Sequence, residues 1–249
     1  MMVVPEGGAL FQNNMTMVVD GHTTVEHALP IAEVWDDVKQ LWGQQATGYT
    51  PTLNVGYGGL DGEHYWYAHT DVWKHPLLSR YVPRSVLVPR SVRRETAPEE
   101  DYNILRVART ATQLSRAGVN TMIGAHGQRE GLGVHWEMWM FVLGGMTPME
   151  ALRTATLNPA RNFGFDKDLG SLEPGKLADL VVIDGNPLAD IRQSDRVVQV
   201  MQNGRLFDAA TMNQIAPVAK VRKPLFFEGT DGVSMPIDSK ALESGHLGD

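Results

Sequence analysis

Eight histidines and twenty-nine carboxylates are spread over 249 residues that contain no cysteine. An imidazole can act as a general base or as a metal ligand near neutral pH, so the histidines are the first place to look for chemistry. The missing cysteine excludes a thiolate zinc site, an iron–sulfur cluster, a cysteine nucleophile and a disulfide framework. Serine hydrolysis has no support either, because no Gly-x-Ser-x-Gly elbow is present. The run Gly56-Tyr57-Gly58-Gly59 follows a strand-like stretch but opens no helix and lacks a Lys-Ser/Thr ending, so it is not a phosphate loop. His135 and Glu137 sit side by side at the start of a Trp- and Met-rich helix. They are candidates for substrate contact, although a Glu in a first turn is also what a helix dipole favours. His64, His69 and His75 lie among Tyr65, Trp66, Tyr67 and Trp73, where an aromatic lid and a self-packed loop are both open readings.

The elements that would hold these side chains alternate short apolar runs with helix-period runs, the pattern of an α/β fold with parallel strands. Residues 15–20 and 23–27 read as strands. Ile31, Val34, Trp35, Val38 and Leu41 predict a helix between Pro30 and Gly48 with one buried stripe. Residues 49–55, including Tyr49, read as a strand closed by glycines, and 56–97 as a long irregular excursion. Thr96 with Pro98, Glu99 and Glu100 predicts a helix start, carried on by Ile104, Leu105, Val107, Ala108, Ala111 and Leu114 to Gly118. Val119 to Ile123 reads as a strand and 135–143 as a helix. Thr147-Pro148-Met149-Glu150 is a capping box that opens another, running to Asn158-Pro159. After Gly164 come turn residues, a strand at 178–183, and a hairpin through Asn203-Gly204. The expected domains are a body at 1–165, a small β module at 166–215 and a surface tail at 216–249.

A formal net charge of −7 argues against nucleic-acid and anionic-membrane binding. With 43% hydrophobic and 20% charged residues the chain is globular. No run approaches the ~18 apolar residues of a membrane helix. Met1 to Val4 run into Pro5 and Glu6 without a basic region, so no signal peptide is read and a cytoplasmic location is the default expectation.

Residues 118–204 resemble the C-terminal part of the amidohydrolase superfamily, in its imidazolonepropionase- and prolidase-like branch. The resemblance rests on His135-Trp136-Glu137, Gly145-Met146-Thr147-Pro148, Glu150-Ala151-Leu152, Asn158-Pro159-Ala160 and the block Gly170-Ser171-Leu172-Glu173-Pro174-Gly175-Lys176-Leu177-Ala178-Asp179. Upstream, Val25-Glu26-His27 is similar to the family's sixth barrel strand and Pro51-Thr52-Leu53 to its seventh.

That resemblance implies the C-terminal half of a TIM-type (β/α)8 barrel, about four βα units, followed by a small β module of a composite sandwich. It implies a hydrolase that cleaves an amide, peptide-like, lactone or ester bond with water activated by a divalent metal, zinc first, with manganese or iron as alternatives. His27 matches a family metal ligand, and His22, five residues earlier, is a second ligand candidate. His126 stands where the family places a catalytic Asp, so the general-base role falls to it. His135, Glu137 and Tyr49 are the expected substrate contacts. The family's His-x-His pair occurs nowhere in the chain. The expectation is therefore a chain that begins where half a barrel is already built, acting on a small molecule and paired with a missing N-terminal half or with itself. Full-length relatives are often exported. The alternative is a degenerate half-barrel without native catalysis.

Overall fold

The computed structural model describes residues 1–228 apart from Gly58, Arg93 and Gln128. The part of the expected tail beyond residue 228 lies outside the described residues. Four extended segments run parallel, side by side and in chain order. Glu6 pairs with Glu26 of β1 (Thr24–Glu26), β1 pairs with β2 (Gly48–Thr50), and Tyr49 of β2 pairs with Thr121. The hydrogen bonds between them run from Gly7 N to the Glu26 carbonyl at 2.7 Å and from Met122 N to the Tyr49 carbonyl at 2.8 Å. Neighbouring strand residues face opposite sides. Val25 and Tyr49 are fully buried, and Tyr49 lies against Trp42 of a flanking helix with ring centroids 4.9 Å apart. On the other face, Thr50 Oγ1 donates to Glu26 Oε1 at 3.2 Å.

The first expected strand is a helix, α1 (Phe11–Val19). Its Val18-Val19 pair favours a strand locally, but Phe11, Asn14, Met15 and Val18 recur at helical spacing and turn one stripe inward. Asn14 and Val18 are buried on that stripe. The next helix, α2 (Asp36–Gly43), starts later than the apolar spacing suggested, where Asp36 and Asp37 meet the positive end of the helix dipole. Val38 and Trp42 form its buried side, and Trp35 is left exposed ahead of it.

The region expected to be irregular is mostly helical. It holds α3 (Gly62–His69), α4 (Pro76–Tyr81) and α5 (Arg84–Val92). Two of its histidines help to start helices. His64 lies 2.7 Å from the α3 N-cap Asp61, and His75 Nδ1 accepts the Leu78 amide ahead of Pro76. The aromatic residues pack inward, with Trp66 5.2 Å from Trp139 and Tyr67 5.5 Å from Trp136 between ring centroids. Short helices hid the period that a sequence window needs.

Helix α6 (Ile104–Arg116) buries the whole predicted stripe but begins well after Thr96, with a single 3-10 turn at Glu99–Asp101 before it. Then follow α7 (Leu132–Leu143), α8 (Pro148–Thr154) and α9 (Leu157–Asn162), so the predicted helix across 148–159 is broken at Ala155-Thr156. The capping box forms as expected: Thr147 Oγ1 accepts the Glu150 amide at 3.2 Å, and Glu150 accepts the Thr147 amide at 2.6 Å. Thr147→Ala is expected to lower stability by about 1 kcal/mol in a denaturant titration. An unchanged midpoint would show that the box adds nothing.

The C-terminal module is an antiparallel sheet of β3 (Leu180–Ile183), β4 (Val197–Gln202), β5 (Arg205–Asp208) and β6 (Gln214–Ala216) in that order. Asn203 and Gly204 both have positive φ, which is the two-residue hairpin turn that the sequence signals.

Candidate active site

Two histidines meet at the C-terminal ends of the parallel segments. His27 directly follows β1, and His126 follows the fourth segment. Their rings lie 5.0 Å apart, edge to face. Glu6, at the end of the first segment, puts Oε1 3.3 Å from His27 Nε2, and the Tyr57 ring lies 6.2 Å from the His27 ring. The His27 side chain is only 12% exposed, whereas His126 faces solvent. Burial, and then the neighbouring His126, hold the His27 pKa below the ordinary imidazole value against the pull of Glu6 and Glu26. A neutral imidazole keeps a lone pair for a proton or a cation.

The backbone marks the same place. His27, Thr52 and His126, which close three successive segments, have φ of 70°, 51° and 55°. Such values are uncommon for any residue but glycine, and for β-branched Thr52 they are a strained exception costing about 1–3 kcal/mol. Strain of this kind persists only where the surroundings enforce it.

Glu137 is part of that enforcement. It lies on α7, wholly buried, and its two oxygens accept the amides of Leu53 at 2.7 Å and Asn54 at 3.2 Å. Burial pushes its pKa up to about 8, with nearby backbone amides acting the other way. The loops after β2 and after the fourth segment also touch directly. A Cβ on Gly124 would stand 2.5 Å from Thr50 Cγ2 and 2.6 Å from Thr52 Oγ1. Gly124→Val is therefore expected to push the loops apart and to cost about 1–3 kcal/mol, measured by thermal unfolding. A stability equal to the wild type would contradict the close approach.

The remaining predicted residues stand elsewhere. His22 precedes β1, at the opposite end of the strand from His27. Tyr49 is wholly buried on the helix-packed face, where its hydroxyl accepts the Leu29 amide at 3.1 Å and burial raises its pKa. It fills the core and does not reach the histidine pair. His135 points to the C-terminal module, with Nδ1 3.0 Å from Ser194 Oγ, a hydroxyl that also accepts the Trp139 indole N–H. Glu137 is spent on backbone amides, so the substrate contacts expected of His135 and Glu137 are not formed at this centre. Sequence reasoning missed Glu6, whose only signal was its place after the Val3-Val4 run. It also missed the buried Arg129, just beyond His126, whose Nε and Nη2 both donate to the Tyr67 hydroxyl. A groove lined by Trp35, Lys39, Arg106 and Arg109 lies on the outer helices and touches none of the six predicted residues. Among the described residues no three His, Asp or Glu side chains converge closely enough to hold a metal ion, and no helix is long and apolar enough to cross a membrane.

Residues 74–207 match the amidohydrolase family. The chain belongs to that family. Among sequence relatives, the chain is 40% identical to an adenine deaminase of Rubrobacter xylanophilus over 65 residues, which is 25% of this chain and 11% of that protein. It is 40% identical to the ochratoxinase of Aspergillus niger over 68 residues, 26% of this chain and 14% of that one. Among solved structures it is similar to a Xaa-Pro dipeptidase with bound methionine, with a TM-score of 0.59 and 22% identity over 84% of this chain and 45% of that chain. The ochratoxinase crystal structure gives a TM-score of 0.55 at 20% identity, covering 83% and 42% respectively. These likenesses show a fold of the TIM-barrel type. The chain spans less than half the length of these solved relatives.

Proposed function

We propose that this chain contributes half of the active centre of a metal-dependent hydrolase, one that cleaves an amide, peptide-like, lactone or ester bond. The observation that carries the reading is the convergence of His27 and His126 at the ends of the two segments that flank β2, where barrels of this type place their chemistry. Strained backbone at both histidines supports a reactive centre over a degenerate half-barrel, because strain clusters at functional sites.

The fit of a metal is partial. Two imidazoles on this chain fall short of the three protein groups that usually hold a hydrolytic zinc. The other donors would come from a second polypeptide segment, either the complementary half-barrel or another copy of the chain. The exposed apolar side chains of Val3 and Val4 on the outer parallel segment, and of Val181, Val198 and Ile215 on the module, support such an association. A divalent cation in such a centre supplies acidified water and a polarised carbonyl. His27, neutral and held by Glu6, offers a nitrogen to the cation. His126, turned to solvent, stands where it can accept the proton of the attacking water.

Calorimetric titration of the full chain with zinc, manganese or iron(II) tests the metal part of this reading. Saturable binding by the wild type, weakened at least about tenfold in His27→Ala, is the expected result. A wild type that binds none of the three would overturn it.

A further inference from the structure

We propose that Glu137 is a positioning residue, whose carboxyl anchors the loop after β2, to which the loop that carries His126 is tied and packed, and thereby fixes the His126 imidazole beside His27. The inference rests on the proposed reading of His27 and His126 as the reactive pair. Four observations carry it. The carboxyl accepts the Leu53 and Asn54 amides of the loop after β2. The loops meet at Gly124 with no room for a side chain. Asn54 Nδ2 adds a second tie, donating to the Ala125 carbonyl at 3.3 Å and to the Gly133 carbonyl at 3.0 Å. Lastly, the clamp falls between the two strained residues, Thr52 immediately before Leu53 and His126 two residues after Gly124.

The chemistry explains why a carboxyl is needed. The amides of Leu53 and Asn54 open a 3-10 turn and point outward without partners in the turn, a place where acceptors are needed. A carboxyl turns one oxygen to each of the two amides. A glutamine would turn an NH2 toward one of the amides and release it. The loop so released carries strain at Thr52 and has every reason to relax.

The test compares the imidazole resonances of histidine-labelled full-length protein in wild type, Glu137→Gln, Glu137→Asp and Leu114→Ala, the last a core truncation on α6 ahead of the fourth segment. Both glutamate variants are expected to move the His126 and His27 signals further than Leu114→Ala does, although Leu114 is wholly buried in the core. Signals that stay at their wild-type positions in Glu137→Gln, or that move no further than in Leu114→Ala, overturn the proposal. Amide exchange in the wild type gives a reading that needs no variant to fold. The Leu53 and Asn54 amides are expected to exchange at least about tenfold more slowly than neighbouring loop amides, and equal rates would overturn the clamp. Failure of the wild type to hydrolyse any substrate would remove the proposed function but leave these signals as predicted.

Discussion

Between pH 5 and 9 the wild-type chain is expected to lose stability relative to Glu137→Gln. The Glu137 carboxyl sits at about 8 in the fold against 4.5 for the free side chain, because its burial outweighs the amides it accepts. The folded pKa is thus raised. Its stabilising contribution is complete below about pH 4.5 and is lost as the pH climbs through 8, since the unfolded chain releases the proton first. The slope in that window approaches about 1.4 kcal/mol per pH unit, so several kcal/mol are at stake. Gln does not titrate. At pH 5 the variant should be the less stable of the two, because one buried amide loses its acceptor at a cost of about 1–3 kcal/mol. As the pH rises the gap should close. Urea titrations of both proteins at pH 5, 7 and 9 measure it directly, and a gap that stays constant would mean that Glu137 does not change ionisation in this range.

His27→Ala is expected to lower hydrolysis by about 10²–10⁴-fold, the usual worth of a positioned catalytic group. His27 follows a strand end and touches Glu6, Tyr57 and His126, so its removal takes away contacts of the site itself. His126→Ala should cost a similar factor. His126→Asp is the informative partner variant: Asp tolerates positive φ about as well as His does, and the family resemblance puts a carboxylate at this position. Activity in His126→Asp well above that of His126→Ala would show that the position is read for its proton-accepting group. Equal loss in both would tie the function to the imidazole itself. Full activity in His27→Ala would contradict the site.

Much of this arrangement was legible in the residues. The hairpin at Asn203-Gly204, the capping box at Thr147 and the buried stripe of α6 are local codes, and each formed where its residue types require it. That His27 and His126 stand at strand ends was legible through the family resemblance. What escaped the sequence was set by tertiary packing. Short helices α3 to α5 hold too few turns to display a period, and their aromatics were identified as core only once Trp136 and Trp139 lay opposite. In α1, helical spacing outweighed the β-branched pair at its end. Glu137 read as an acid at a helix start or a substrate contact, because its real partners are 83 and 84 residues away in the chain. Tyr49 carried no mark of which sheet face it would occupy, and a shift of one residue decides between the core and the pocket.

The central claim is that this chain's two histidines belong to a metal-dependent centre completed by a second polypeptide segment. Metal content per chain, measured by mass spectrometry across size-fractionated protein and read beside hydrolysis in the same fractions, tests it most directly. The account predicts that a divalent ion and hydrolytic activity rise together in fractions larger than the single chain. Hydrolysis by a metal-free, single-chain fraction would contradict it.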